Sequence, residues 1–195
     1  MNGNTPLNRR AVVAELLRDR SDLMVVTGLG AAAYDAMAAG DHDLNFYLWG
    51  AMGAASMIGL GLATARPERP VLVITGDGEQ LMGLGGLATI ALRKPRNLSI
   101  VVLDNGHFGE TGMQASPTSQ GIEIARIAEA CGFPTADVIT RPEGVEALRR
   151  RIHARDGLNL ATVKIAAENL PRVLPPRDGV YVKNRFRLAL GFKPA

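Results

Sequence analysis

Two polar turns hold the side chains in this sequence best suited to chemistry, Gly76-Asp77-Gly78 and Asp104-Asn105-Gly106, with 25 residues between them. Asp77 and Asn105 offer hard oxygen ligands of the kind magnesium selects. The flanking glycines let a phosphate approach backbone N–H groups. His107, Phe108, Glu110, Thr111 and Gln114 follow directly and would lie near whatever binds there. A histidine in that place is suited to proton transfer near neutral pH or to contact with an anion; the alternative is a side chain directed to solvent. Thr27-Gly28-Leu29-Gly30 is a further glycine-containing turn, placed to offer N–H groups to an anion at a helix start. A tight strand-to-helix turn needs glycine in any case. His42, in the loop Asp41-His42-Asp43, reads as a surface residue.

These turns need strands to place them. Val71 to Thr75 and Ile100 to Leu103 are β-branched-rich apolar runs bounded by Gly, Pro and Asn, the pattern of strands buried on both faces. Joined by a helix over about Gln80 to Leu92, they would lie parallel, with Asp77 and Asn105 at the same carboxyl edge, where open α/β sheets bind ligands. Around them the sequence predicts an amphipathic helix from Asn8 to Arg20, a strand from Leu23 to Val26, a helix from Ala31 to Ala38 and a short strand from Phe46 to Trp49. After Gly50-Ala51-Met52-Gly53 comes a helix rich in small residues to about Ala65. Beyond a loop at Ser116 to Gln120 the expected order is helix to Cys131, strand near Asp137 to Ile139, helix near Glu143 to Ala154 and strand Ala161 to Ile165. Such alternation predicts an α/β fold, a doubly wound parallel sheet with helices on both faces.

The chain has 195 residues, 47% of them hydrophobic, enough for one substantial core and too few for two typical domains. The expected domain covers residues 1–167. Residues 168–195 form a Pro/Arg-rich segment with Pro171, Pro175 and Pro176, read as a solvated tail. The other reading is an arm that wraps a partner, because Val180, Tyr181, Phe186, Leu188, Leu190 and Phe192 are costly to leave wet. A net charge of +3 comes from scattered basic residues, apart from Arg149-Arg150-Arg151 and the tail, so no nucleic-acid surface is expected. The lone Cys131 excludes an internal disulfide and a multi-cysteine metal site, and suits a small buried core position. No apolar signal core follows Arg9 and Arg10, which points to the cytoplasm. Phe46 to Ala65 lacks formal charge and is about long enough to span a bilayer. Its glycines and the break near Trp49-Gly50 instead predict a buried helix packed closely on a sheet, and no membrane partner.

Taken together, Gly76-Asp77-Gly78 and Asp104-Asn105 resemble the diphosphate and metal motif of thiamine diphosphate enzymes, which begins Gly-Asp-Gly and ends Asn-Asn. Trp49-Gly50-Ala51-Met52-Gly53 resembles the Gly-Ser-Met-Gly or Gly-Ser-Ile-Gly element of their 2-oxoacid decarboxylase branch. With Leu103-Asp104-Asn105-Gly106 and Thr111-Gly112-Met113-Gln114, the chain looks most like the sulfopyruvate and phosphonopyruvate decarboxylases of that branch, over about Leu23 to Ile165.

The resemblance implies the pyrophosphate-binding type of domain, thiamine diphosphate and Mg²⁺ as cofactors, and a small 2-oxoacid as substrate. It assigns Mg²⁺ to the side chains of Asp77 and Asn105 and the carbonyl of His107. Thr27, Gly28, Gly76, Gly78 and Glu79 would meet the diphosphate, Glu79 through its backbone N–H alone because its carboxylate would be repelled. The Gly50 carbonyl would accept from the aminopyrimidine, and Met52 would support the bent cofactor, where a methionine without those glycines would be core packing. His107 and Glu110 are the candidate catalytic side chains. Glu110 adds like charge beside an acidic substrate unless a cation offsets it. Met113 replaces a family glycine.

In this family a glutamate on a separate pyrimidine-binding domain activates the cofactor, and neither Glu79 nor Glu110 matches its position. The expectation is therefore a hetero-oligomer in which a pyrimidine-domain α subunit completes the site and this chain alone is inactive. A carboligase of the acetolactate-synthase type and a noncatalytic assembly subunit are the competing functions. Absence of iron–sulfur cysteines disfavours a ferredoxin-coupled oxidoreductase.

Overall fold

The computed structural model describes residues 6–194. In chain order it contains α1 (Arg9–Leu16), β1 (Met24–Thr27), α2 (Ala31–Ala38), β2 (Asn45–Tyr47), α3 (Ala55–Ala65), β3 (Val71–Gly76), α4 (Asp77–Met82) and α5 (Gly86–Arg93). There follow β4 (Leu98–Asp104), the short hairpin β5 (His107–Phe108) and β6 (Gln114–Ala115), α6 (Ile124–Cys131), β7 (Thr135–Ile139), α7 (Pro142–Ala154), β8 (Asn159–Lys164) and α8 (Gly179–Ala189). Six strands form one sheet in the order β2-β1-β3-β4-β8-β7, and every neighbouring pair is parallel.

The apolar runs of β3 and β4 are continuous because both sheet faces are covered. On one face Leu72, Ile74, Val101, Leu103 and Val163 pack with Val13 and Leu16 of α1, Ala33 of α2 and Leu148 of α7. On the other, Val71, Val73, Ile100, Val102 and Leu160 pack with Leu60 of α3, Ile90 of α5 and Ile124 of α6. The doubly wound sheet expected from the alternation is the fold observed. The charge-free stretch is explained by close contact: a Cβ on Gly59 of α3 would stand 2.3 Å from Val73 Cγ2. Among the described residues no helix is long and apolar enough to cross a membrane.

Two expectations change. The helix predicted over about Gln80 to Leu92 is two helices, α4 starting directly at Asp77 and α5 starting at Gly86. Backbone contact causes the break, since a Cβ on Gly83 would lie 2.0 Å from the Gly53 carbonyl oxygen. The Gly50 to Gly53 turn can reach the end of α4 only because both partners are glycines. Cys131 is half-buried at the end of α6 rather than a sealed core residue.

The segment after Glu168 folds back on its own chain. Residues 166–178 run as an extended strap, tied by Arg10 Nη2 to the Pro171 carbonyl (2.8 Å) and by Trp49 Nε1 to the Pro176 carbonyl (2.7 Å). Asp178 then caps α8, accepting hydrogen bonds from the N–H groups of Val180 and Tyr181. Val182 and Phe186 are buried, with Phe186 edge-on to Phe46 of β2 at 5.6 Å, while Val180, Tyr181, Leu188 and Phe192 stay exposed. Arg185 makes a paired contact with Asp41 (2.6 and 3.1 Å). Proline spacing hides this helix from a periodicity reading.

Removing the anchor should release it. Phe186→Ala is expected to cost about 3–5 kcal/mol, as for other large-to-small core changes, and to make the strap and α8 susceptible to limited proteolysis. Urea unfolding and protease mapping check both, and a cost below about 1 kcal/mol would show that α8 is not part of the cooperative core.

Candidate active site

The chain leaves β1 towards β2 on one side of the sheet and leaves β3 towards β4 on the other. The crevice at the carboxyl ends of β1 and β3 is therefore the topological switch point, where α/β sheets bind ligands. A cavity of about 300 Å³ opens there, and its wall includes Met52, Gly76, Asp77, Gly78, Glu79, Asn105, His107 and Glu110. Register explains the convergence: Gly76 lies opposite Leu103, so the turns that follow β3 and β4 leave the sheet side by side.

Asp77 is the first residue of α4 and is buried. Its Oδ2 accepts hydrogen bonds from the hydroxyls of Ser116 and Thr118, and burial pushes its carboxyl above the ordinary range. Among the described residues no lysine or arginine pairs with it. The Thr118 hydroxyl is also 2.8 Å from Asp104 Oδ1. A hydroxyl carries one proton, so Thr118 is shared between the two carboxylates and donates to Asp77 or to Asp104 at any one time, while Ser116 donates to Asp77. Asp104 is itself buried, and Lys164 from the end of β8 pairs with its other oxygen. That pairing shows how an aspartate is held where the family motif has asparagine.

Asn105 and His107 lock the next turn. Asn105 Oδ1 accepts the His107 N–H at 2.9 Å, and His107 Nδ1 lies 2.7 Å from the Asn105 carbonyl. A carbonyl only accepts, so Nδ1 carries the proton and Nε2 is left as the group able to take or give one. Glu110 stands at the cavity mouth, where Arg172 from the strap pairs with it at 3.0 Å. This is the cation that an acidic substrate would require there. Arg172 also lies over the Tyr34 ring and Arg177 over Trp49.

Glu79 points inward. Its Oε2 accepts from the Thr75 hydroxyl at 3.0 Å, and a Cβ on Gly28 would sit 1.7 Å from that oxygen. Gly28 is thus required by the glutamate of the neighbouring turn, whose carboxyl fills the space a side chain at position 28 would need. Three expected cofactor contacts lie off the cavity wall. Thr27 is fully buried with its hydroxyl unpaired, Gly28 faces Glu79, and Gly50 sits exposed on the loop beyond β2. The residues that sequence reading passed over are Ser116, Thr118, Lys164, Arg9, Asn169 and Arg172. They reach the site from distant segments, and no spacing rule links them to Asp77.

The donor set fits a hard divalent cation. Asp77 keeps Oδ1 and Asn105 keeps a lone pair on Oδ1, both oxygen ligands, and α4 starts at the same turn with no side-chain cap. Residues 27–163 match the family described as thiamine pyrophosphate enzyme, C-terminal TPP binding domain. The chain belongs to this family. It is 35% identical over 185 residues to the sulfopyruvate decarboxylase of Methanosarcina acetivorans, covering 95% of this chain and 48% of that protein. It is 36% identical over 189 residues to a phosphonopyruvate decarboxylase of Streptomyces viridochromogenes, 94% of this chain and 45% of that one. The chain thus spans about half the length of those relatives. Sulfopyruvate decarboxylase subunit beta of Methanococcus maripaludis is 30% identical over 187 residues, 94% of this chain and 98% of that protein. The fold is similar to that of part of benzoylformate decarboxylase from Polynucleobacter necessarius, with a TM-score of 0.71 at 19% identity over 86% of this chain and 34% of that one.

The inward glutamate has a pH signature. Burial raises the Glu79 carboxyl above its ordinary range, with the Thr75 hydroxyl and the Gly53 and Leu29 N–H groups pulling the other way. Below about pH 4 the group is protonated in folded and unfolded chains alike, and the cost of its charge is complete only above the raised folded-state value. Glu79→Gln should therefore raise the Tm at neutral pH, with the gain shrinking as the pH falls towards about 4. Thermal melts across that range check it; a gain that grows on acidification is the contrary result.

Proposed function

We propose that this chain is the thiamine diphosphate- and Mg²⁺-binding subunit of a 2-oxoacid decarboxylase, completed by a separate pyrimidine-domain subunit in a cytoplasmic hetero-oligomer. The observation that carries the reading is Asp77, a buried carboxylate with hydroxyl donors and no cationic partner among the described residues, beside Asn105 in a switch-point cavity. Such a carboxylate asks for a cation. Asp77 and Asn105 hold Mg²⁺ with the His107 carbonyl, and the N–H groups of Gly78 and Glu79 at the start of α4 face the diphosphate. Thr27, Gly28 and the Gly50 carbonyl, the other cofactor contacts that the resemblance implies, lie off the cavity wall. When bound, the cofactor supplies an electron sink for loss of carbon dioxide.

The chain's own residues hold and shield. Ser116 and Thr118 fix the Asp77 oxygen, so the metal meets an oriented ligand. His107 Nε2 handles a proton at the edge of the cavity. Arg172 offsets Glu110, and with Arg177 it favours a substrate bearing a second acidic group, as in sulfopyruvate or phosphonopyruvate. Met52 and Met82 line the cavity yet are 44% and 58% exposed, with Met57 also on the surface. A cavity rimmed by exposed apolar side chains excludes water only when a partner covers it. The acids present are committed elsewhere, Glu79 to Thr75 and Glu110 to Arg172, so the activating glutamate comes from that partner. The relative named subunit beta, nearly coextensive with this chain, supports a divided enzyme.

Calorimetric titration with thiamine diphosphate should show saturable, Mg²⁺-dependent uptake. Asp77→Ala should weaken it by at least the tenfold to hundredfold, on the order known for outer-shell changes. Carbon dioxide release from sulfopyruvate or phosphonopyruvate should need the second subunit. Robust turnover by the chain alone would overturn the divided site, and acetolactate-type products from pyruvate would replace decarboxylase with carboligase.

A further inference from the structure

Arg9 lies at the start of α1, outside the matched residues 27–163, and it is 5% exposed. Its Nε donates to Asp35 Oδ2 at 2.6 Å, while Arg10 Nε donates to the other Asp35 oxygen at 3.0 Å. One fully buried carboxylate thus holds two guanidinium groups, leaving a surplus positive charge inside the protein. Arg10 turns its end to the Pro171 carbonyl on the strap. Arg9 instead lines the switch-point cavity, and its two terminal nitrogens have no hydrogen-bond partner among the described residues. It is the only lysine or arginine on the described wall of that cavity.

Ala31 and Ala32, the first residues of α2, share the wall with it. The eight-residue helix α2 has Gly30 as N-cap with no side-chain cap, so its first N–H groups await an acceptor. An anion already approaches that end: a Cβ on Gly30 would lie 2.9 Å from Glu110 Oε1. We propose that Arg9, fixed by Asp35 and facing the uncapped start of α2, binds the terminal phosphoryl group of the diphosphate. The inference rests on the cofactor reading above. Charge favours it, because Asp77 and a diphosphate together outweigh one Mg²⁺, and among the described residues no other lysine or arginine lines the cavity, Arg172 at its mouth being paired with Glu110. The guanidinium fork suits two phosphoryl oxygens, which an ammonium would meet as a single point.

The test is calorimetry of the full chain with Mg²⁺ and either thiamine diphosphate or thiamine monophosphate, for wild type, Arg9→Lys and Arg10→Lys. Arg9→Lys should lose affinity for the diphosphate on the order of tenfold to a hundredfold, keep its affinity for the monophosphate, and leave Arg10→Lys indistinguishable from wild type. Equal diphosphate affinity in Arg9→Lys and wild type overturns the inference and leaves the cofactor reading standing. Equal losses for both ligands, or for both arginine variants, also overturn it, because they mark a purely structural role. No uptake of thiamine diphosphate by wild type removes the cofactor reading and this inference with it. If Arg9→Lys does not fold, the pair Arg9→Met with Asp35→Asn removes both buried charges and is read by the same ratio of the two ligands.

Discussion

The parallel register of β3 and β4, Gly76 opposite Leu103, is the constraint on which the site depends. It places Asp77 at the start of α4 and Asn105 just past the end of β4, so two oxygen ligands 28 positions apart meet without any contact between their side chains being needed. The register is fixed by packing, since a one-residue slip would turn each apolar strand residue to the other face. Both faces are covered, but by different helices and with different shapes. Val73 leaves no room for a side chain at position 59, and Gly53 leaves none at position 83. Close backbone approach, not side-chain chemistry, holds the two halves of the cradle together.

Electrostatics then sorts the buried carboxylates. Asp35 has two arginines, Asp104 has Lys164, Glu79 has the Thr75 hydroxyl, and Asp77 has the hydroxyls of Ser116 and Thr118. Burying an unpaired carboxylate is expensive, and hydroxyl donors only partly compensate. Among these buried carboxylates the cation partners go to Asp35 and Asp104, behind the cavity, while Asp77 and Glu79 on its wall have none among the described residues. Stability and the proposed metal binding therefore pull in opposite directions at Asp77: the burial that weakens the fold is what would give a divalent ion its affinity. Glu79 bears the same cost of burial, and Gly28 leaves the space in which its carboxyl lies.

The sheet, its parallel sense and the Asp77 and Asn105 pair were legible because they rest on local signals: buried apolar runs, glycine turns and a fixed spacing. The split between α4 and α5 was not, since the apolar periodicity runs through Gly83 and only contact with Gly53 interrupts it. Ser116 and Thr118 lie in a predicted loop, where hydroxyl side chains signal nothing until the hairpin β5–β6 folds them onto Asp77. Arg9 looked like one charge on an amphipathic helix. Its partner Asp35 lies on the next helix, and pairing across helices leaves no mark in either sequence. The strap and α8 were obscured by prolines, which rule out helix only for residues near them.

What remains open in the molecule is one side of the cavity. Its floor is the switch point, its back wall the Asp35-anchored arginine and its mouth the Glu110–Arg172 pair, all supplied by this chain. The rim at Met52 and Met82 is the part left to solvent, and methionine is the side chain that adapts most readily to a second surface. Charge and apolar surface are thus segregated: the charged side chains lie on the floor, back wall and mouth, and the exposed apolar ones on the rim. On the proposed divided site, the water-excluded, low-dielectric cavity would form only on assembly, so cofactor and partner binding would reinforce one another, each increasing the worth of the other's contacts.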